Sequence, residues 1–108
     1  MKHRPEGWVI LTNQLANEPW YIIFCFWRSN DAWRISSGSK ALPHLSPCAN
    51  YWIWPQQSGS AYELPIAGED GYTFYASAVL DGFLENGYSD GTKLKRIALK
   101  DIMNIGKV

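Results

Sequence analysis

The stretch Trp-Tyr-Ile-Ile-Phe-Cys-Phe-Trp, residues 20–27, is the longest apolar run in the chain. In an extended strand the side chains alternate between two faces. Here the even-numbered positions carry Trp, Ile, Phe and Phe, and the odd-numbered positions carry Tyr, Ile, Cys and Trp, so both faces are apolar. Strands of this type lie inside a sheet and are covered on both sides. Residues 20–28 are therefore predicted to form a central strand.

Further strands are predicted on both sides of this run. Residues 7–12 are rich in β-forming side chains. Residues 32–37 follow an Asx-type turn and alternate in polarity, which predicts a half-buried strand antiparallel to the central one. Residues 51–54 and 61–64 are each followed by a proline and predict a hairpin. The intervening residues 38–50 contain two prolines and form the longest irregular stretch, of the kind that is often functional.

Residues 73–85 predict the one definite helix, in the C-terminal half of the chain. Apolar side chains recur there at helical spacing, which predicts a stripe packed on the sheet. The stripe comprises Phe74 or Tyr75, Val79, Leu80, Phe83 and Leu84. Thr73 or Ser77 is suited to cap the start of this helix. Gly82 costs roughly 1 kcal/mol in a helix interior, and we expect it to allow close packing on the sheet.

The apolar positions of residues 93–104 fit either a helix or an edge strand. We favour a strand over 93–99 followed by a helical turn near 101–104, because no acidic residue lies at 92–96, where a helix would favour one. Basic side chains on an edge strand discourage pairing between molecules. In this segment they are Lys93, Lys95, Arg96 and Lys100.

Five or six short strands with one definite helix place the chain in the α+β class. We predict a mainly antiparallel sheet with the helix packed on one face. The chain has 108 residues, of which 46% are hydrophobic and 19% charged, and this composition is typical of a folded protein. A chain of this length forms one core, so residues 1–108 are predicted to be a single domain.

Charge and cysteine content exclude several classes of protein. Ten basic and ten acidic residues give a net charge of zero and a pI near 6.7, whereas nucleic-acid binding needs excess cations. The longest apolar run is too short to cross a bilayer, and the first seven residues contain no apolar signal core. We therefore expect no nucleic acid and no membrane partner. Only two cysteines are present, Cys25 and Cys48, so we expect free thiols and a cytoplasmic protein.

No set of side chains in the sequence converges on a catalytic or metal site. His44 and Cys48 lie four residues apart, but structural zinc usually takes four Cys or His ligands and the chain has two of each. The same pair lacks an orienting acid and an oxyanion hole for nucleophilic catalysis. The acids at 69–70 and those at 81 and 85 are expected to be solvated. We therefore expect no catalytic residue, no metal and no cofactor, and the sequence does not indicate an enzyme.

The six tryptophans are the compositional feature above background. Trp52 and Trp54 share one face of a predicted strand, Tyr62 can lie across from them, and Trp33 adds a ring on another strand. Such rings stack on sugars, planar ligands or the side chains of a partner. One helix covers one face of one sheet. The second apolar face of residues 51–54 is therefore expected to be covered by the long loop, a second subunit or a ligand.

Two functions are consistent with these four aromatic residues. The first is a small non-enzymatic interaction module that uses the aromatic face to form a homodimer or to bind a protein partner. The alternative is a small-molecule or carbohydrate-binding domain with an aromatic-lined pocket between sheet and helix. Arg34, Glu63 or Gln56 could supply the polar anchors of that pocket.

Overall fold

The computed structural model describes residues 2–13, 20–71, 73–86 and 93–104. Within these ranges the chain forms eight strands, two α-helices and a 3₁₀ turn at Ile66–Gly68. The strands are β1 (Lys2–His3), β2 (Gly7–Asn13), β3 (Tyr21–Trp27), β4 (Ala32–Ile35), β5 (His44–Leu45), β6 (Tyr51–Pro55), β7 (Ala61–Pro65) and β8 (Leu94–Ile97). The helices are α1 (Phe74–Asn86) and α2 (Leu99–Asn104).

The strands form two four-stranded sheets, and the predicted single sheet of five or six strands is wrong. The inner sheet has the order β4-β3-β2-β8 and is antiparallel throughout. The outer sheet has the order β1-β7-β6-β5 and is antiparallel except for the parallel β1–β7 pair. The α+β class, the mostly antiparallel pairing and the one main helix are confirmed.

The inner sheet is the middle layer of three. One of its faces packs against the outer sheet and α2 in a core that includes Trp8, Trp54 and Leu64. Its other face packs against α1 in a second core that includes Phe24 and Leu80. The outer sheet was missing from the prediction because the β6–β7 hairpin has no sequence feature that separates it from the other strands. Its apolar inward face leaves water by packing on the inner sheet.

The central strand is β3, as predicted, and all of its residues from Tyr21 to Phe26 are buried. It pairs with β2 on one side and with β4 on the other. The segment 93–104 is a strand followed by a short helix, also as predicted, and its strand β8 is an edge of the inner sheet. The hairpin of β6 and β7 is confirmed with Trp54 opposite Tyr62 and Trp52 opposite Leu64.

Helix α1 packs on the inner sheet through a line of residues centred on Ala76 and Leu80. Val79, Phe83 and Leu84 are partly buried beside them. Phe74 is 94% exposed and Tyr75 is exposed, so neither belongs to the predicted stripe. The reason is angular, since Phe74 lies about 200° around the helix from Ala76 at 100° per residue. Of the two predicted caps it is Thr73 that caps the helix, because its hydroxyl accepts a hydrogen bond from the Ala76 amide at 3.1 Å.

Replacing Phe24 with Ala tests the central position of β3. Phe24 has no exposed surface and contacts the rings of Trp33 and Phe83, at centroid distances of 6.0 and 6.1 Å. We expect the free energy of unfolding to fall by about 3–5 kcal/mol in urea titrations. The matched control is Phe74→Ala on the exposed face of α1, for which we expect a change within about 0.5 kcal/mol. Equal effects for the two variants would contradict this description of the core.

Candidate functional site

The four aromatic residues predicted to form one binding face do not lie on one surface. Trp54 has no exposed surface, packs near Tyr21 at a centroid distance of 5.9 Å, and donates its indole N–H to the Ala41 carbonyl at 2.9 Å. Tyr62 is buried beside His3, with ring centroids 4.8 Å apart. The inner sheet covers the face of β6 that carries Trp52 and Trp54, whereas Tyr51 and Ile53 on the second face point outward and are half-buried. The predicted irregular stretch 38–50 contains the short strand β5, which extends the outer sheet beside β6, and its Ala41 carbonyl accepts the Trp54 indole N–H.

Trp52 and Trp33 differ from this pair because both reach the surface. Trp52 is half-buried at the margin of the core between the sheets. Trp33 lies on the opposite face of the inner sheet, on the side of α1, and is 39% exposed. The two indoles therefore belong to separate surfaces, one at each face of the inner sheet.

The three polar anchors proposed from the sequence have different environments. Gln56 is buried and accepts a hydrogen bond from the Gly38 amide at 2.9 Å. Glu63 pairs with Arg4 at 2.6 Å and with Lys2 at 3.6 Å, and the hydrogen bond from Arg4 lowers the pKa of its carboxyl group. Arg34 is exposed on the edge strand β4, donates a hydrogen bond to the Tyr62 hydroxyl, and makes no ion pair with any carboxylate in the described ranges. Of the three, Arg34 is the exposed side chain whose charge is not balanced by a described carboxylate.

A groove of about 280 Å³ lies where α1 passes beside the free edge of the inner sheet. We call it the Trp33 groove. It is lined by Trp33, Val79, Gly82, Phe83 and Asn86. The four helix residues have i, i+3, i+4 and i+7 spacing and thus share one side of α1.

The aromatic wall of this groove packs on the core at its base and is open above. The Trp33 ring stacks on Phe24 at 6.0 Å with an interplanar angle of 23°, and it meets the Phe83 ring edge-on at 5.4 Å. These contacts fix the indole in place. Among the described residues, the indole N–H groups of Trp8, Trp27 and Trp54 each donate to a backbone carbonyl, and all three rings lie away from this groove.

Gly82 is the feature of the Trp33 groove that sequence reasoning interpreted wrongly. A Cβ atom built on Gly82 would meet nothing within 4 Å, so this glycine does not allow close packing on the sheet. It leaves open space above the groove instead. The sequence did contain a signal for this groove, because a helix-interior glycine lies three residues after Val79 and directly before Phe83. Its interpretation needed the position of the sheet edge beneath the helix.

Strand β4 forms the outer wall of the Trp33 groove and is an edge of the inner sheet. The Ser36 amide donates to the Ile23 carbonyl at 2.9 Å, and the register places Arg34 opposite Cys25. Hydrogen-bonded residues alternate along an antiparallel pair, so Arg34 points its backbone groups towards β3. The N–H and C=O groups of Trp33 and Ile35 therefore point away from the sheet. No described residue forms a hydrogen bond with them.

A second cavity, of about 460 Å³, lies at one end of the two sheets beside α2. Trp8, Trp52 and Met103 supply apolar walls, and Glu69 and Lys100 lie at its margin. The Glu69 carboxylate already accepts the Leu99 amide at 2.8 Å. Lys100 is exposed and is therefore the polar group available to a ligand there.

The acids and histidines that could have formed a catalytic or metal site have other positions. Asp70 pairs with Arg96 at 2.7 Å, and Glu69 is taken by the Leu99 amide, so this acidic pair is structural. In the described ranges, no three His, Cys, Asp or Glu side chains are grouped so that they could hold a metal ion. No helix in that part of the chain is long and apolar enough to span a membrane.

Comparison with models of known protein families, with curated proteins and with solved structures gives no match to this chain. The groove, the free edge and the second cavity are therefore interpreted from their own geometry.

The two thiols are both free and have opposite environments, which predicts different reactivity. Burial raises the pKa of Cys25 to about 12, whereas a hydrogen bond with Ser46 lowers the pKa of the exposed Cys48. We expect Ellman's reagent to label one thiol rapidly at pH 8 and the second only after unfolding, because the thiolate is the reacting form. Cys48→Ser should abolish the rapid phase. Rapid labelling of two equivalents in the native protein would contradict the burial of Cys25.

Proposed function

We propose that this chain is a non-enzymatic interaction module and that its binding surface is the Trp33 groove. The observation that carries the proposal is the open apolar groove beside an unpaired strand edge, with a glycine of α1 above it. The buried pair Trp54 and Tyr62 cannot supply such a surface, because both side chains are taken by the core.

The energetics of Gly82 support this assignment. A helix-interior glycine costs about 1 kcal/mol relative to alanine. Close packing would offset that cost, but no atom lies within 4 Å of the site where a Cβ would stand. A partner's side chain that enters the groove can use this space. Exposed aromatic rings that are already fixed in place are also favourable anchors for a partner, since little side-chain entropy is lost on binding.

The partner that we propose is a protein, and a second copy of the chain is the other candidate that a net charge of zero permits. A cytoplasmic location is part of the proposal and is supported by the two unpaired thiols.

Substitutions at Gly82 separate binding from stability. We expect Gly82→Ala to raise the free energy of unfolding by up to about 1 kcal/mol, since the new methyl group meets no neighbour. Gly82→Leu should fold as well as the wild type but fill the Trp33 groove. Peptides can be selected from a random decapeptide phage library on immobilised wild-type protein. We expect the enriched peptides to bind the wild type but not Gly82→Leu when binding is measured by fluorescence anisotropy.

The matched control for that selection is Ala78→Leu, which introduces the same side chain at an exposed position of α1 outside the groove. Peptides that depend on the groove should bind this variant as tightly as they bind the wild type. If the library yields no peptide, or if every enriched peptide binds Gly82→Leu equally well, the Trp33 groove is not a binding surface.

A second candidate function, the binding of a small molecule, is favoured by the cavity beside α2. Its volume of about 460 Å³ lies within the range of ligand sites, roughly 300–1,000 Å³, and Trp8 and Trp52 form part of its lining. With Glu69 engaged, the exposed Lys100 favours a planar ligand that carries a carboxylate.

Tryptophan fluorescence with a panel of planar aromatic carboxylates tests this second function. We expect quenching that saturates with ligand concentration. Lys100→Glu should weaken binding by about two- to fivefold or more, the effect of an exposed charge pair. The uncharged relatives of the same compounds serve as controls. Quenching without saturation, or without any dependence on the carboxylate, would rule this function out.

A further inference from the structure

We propose that the partner of the Trp33 groove is an extended peptide segment with alternating apolar and acidic side chains, which adds as a fifth strand to β4. This inference rests on the proposed function and adds the conformation and the chemistry of the partner.

The backbone of β4 supplies the first argument. Trp33 and Ile35 together present two N–H and two C=O groups at the free edge, and no described residue pairs with them. An extended peptide is complementary to this pattern, because its own backbone offers donors and acceptors at the same spacing. Strand addition would place the peptide about 4.8 Å from β4, directly beside the groove.

The two edges of the inner sheet differ in a way that singles out β4. The edge strand β8 carries Lys95 and Arg96, and edge lysines are a common protection against pairing with another chain. Strand β4 reads Ala-Trp-Arg-Ile and contains neither lysine nor proline. It is thus the less protected edge of this sheet.

The face of the added strand that would point towards the Trp33 groove explains why we expect apolar side chains in the peptide. Side chains of β4 alternate, and Trp33 and Ile35 lie on the face of α1, where both belong to or contact the core beneath that helix. Peptide side chains on this same face would lie next to Trp33 and below Gly82. A groove of about 280 Å³ has room for a large apolar side chain there.

The opposite face of the added strand explains why we expect acidic side chains in the peptide. Arg34 lies on that face, where it donates a hydrogen bond to the Tyr62 hydroxyl and lies near the Cys25 thiol and His3. None of these is a carboxylate, and Glu63 on the outward face of β7 is paired with Arg4 and Lys2. An acidic side chain of the peptide would therefore supply the counter-charge that Arg34 lacks in the described part of the chain.

The charge of Arg34 also favours a peptide over a second copy of β4. Antiparallel self-pairing centred on Arg34, in which Trp33 of one copy lies opposite Ile35 of the other, would place two Arg34 side chains directly opposite each other, and like charges in that position are destabilising. A foreign peptide can place an acid there instead.

Hydrogen exchange with a defined probe tests this inference. The probe is an acetylated and amidated peptide, Thr-Asp-Leu-Asp-Leu-Asp-Thr, and the control peptide has the same composition in the order Thr-Leu-Leu-Asp-Asp-Asp-Thr. With the probe at ten times its Kd, the Trp33 and Ile35 amides should exchange about tenfold more slowly. The Ser36 amide already bonds to Ile23 and serves as the internal control. The control peptide should bind more weakly and protect neither amide.

Substitution of Arg34 tests the acidic component separately. Arg34→Gln should weaken binding of the probe peptide by about two- to fivefold at low salt, with a smaller effect at high salt. Arg34→Glu should reverse the preference for acidic over basic peptides, so that a probe with Lys in place of Asp binds better than the original probe. An unchanged preference would show that Arg34 does not select the partner.

Each other outcome overturns the inference in a distinguishable way. If groove-dependent library peptides bind but leave the Trp33 and Ile35 amides unprotected, strand addition is wrong while the interaction module stands. If these amides become protected as protein concentration rises without peptide, and light scattering shows a doubled mass, the occupant is a second copy. If no peptide depends on Gly82, both the inference and the proposed function fail.

Discussion

The inner sheet carries large apolar side chains on both faces, and both faces must be removed from water. Strand β3 lies between β2 and β4 and is buried from Tyr21 to Phe26. Helix α1 covers one side of this strand, and the outer sheet with α2 covers the other. Because each cover is held mainly by contact with the inner sheet, the three-layer order depends on this double-sided burial.

Tryptophans join the layers with both apolar area and hydrogen bonds. Trp8 of the inner sheet donates its indole N–H to the Pro65 carbonyl at the end of β7, at 2.7 Å. Trp54 of the outer sheet bonds to Ala41 in the long loop. A buried indole N–H without an acceptor would cost free energy, so these bonds make large rings tolerable at the layer boundaries. Most of the tryptophan content is thereby explained by architecture, and Trp33 is distinguished by its exposure.

The closed core directs binding to the perimeter of the molecule. Strand ends, sheet edges and the sides of α1 are the places where backbone groups and apolar rings remain accessible. At the Trp33 groove these features coincide, since an unpaired strand edge, a fixed indole and a glycine of the helix meet there. A site of this kind needs no movement of the core to receive an extended partner.

The sequence by itself determined the central strand, the hairpin and the main helix, and it favoured the strand–helix order of residues 93–104 over a continuous helix. These features depend on local periodicity, on proline and glycine positions and on the apolar run of 20–27, all of which are readable within a few residues. Only the tertiary structure decided that the strands divide into two sheets and that Trp54 and Tyr62 face the inner one. The tertiary structure also placed Gly82 beside Trp33. These two residues are 49 positions apart in the sequence, so alternation and helical spacing could not predict that they meet. Strand periodicity states which side chains share a face, but the layer that covers that face is set by long-range packing.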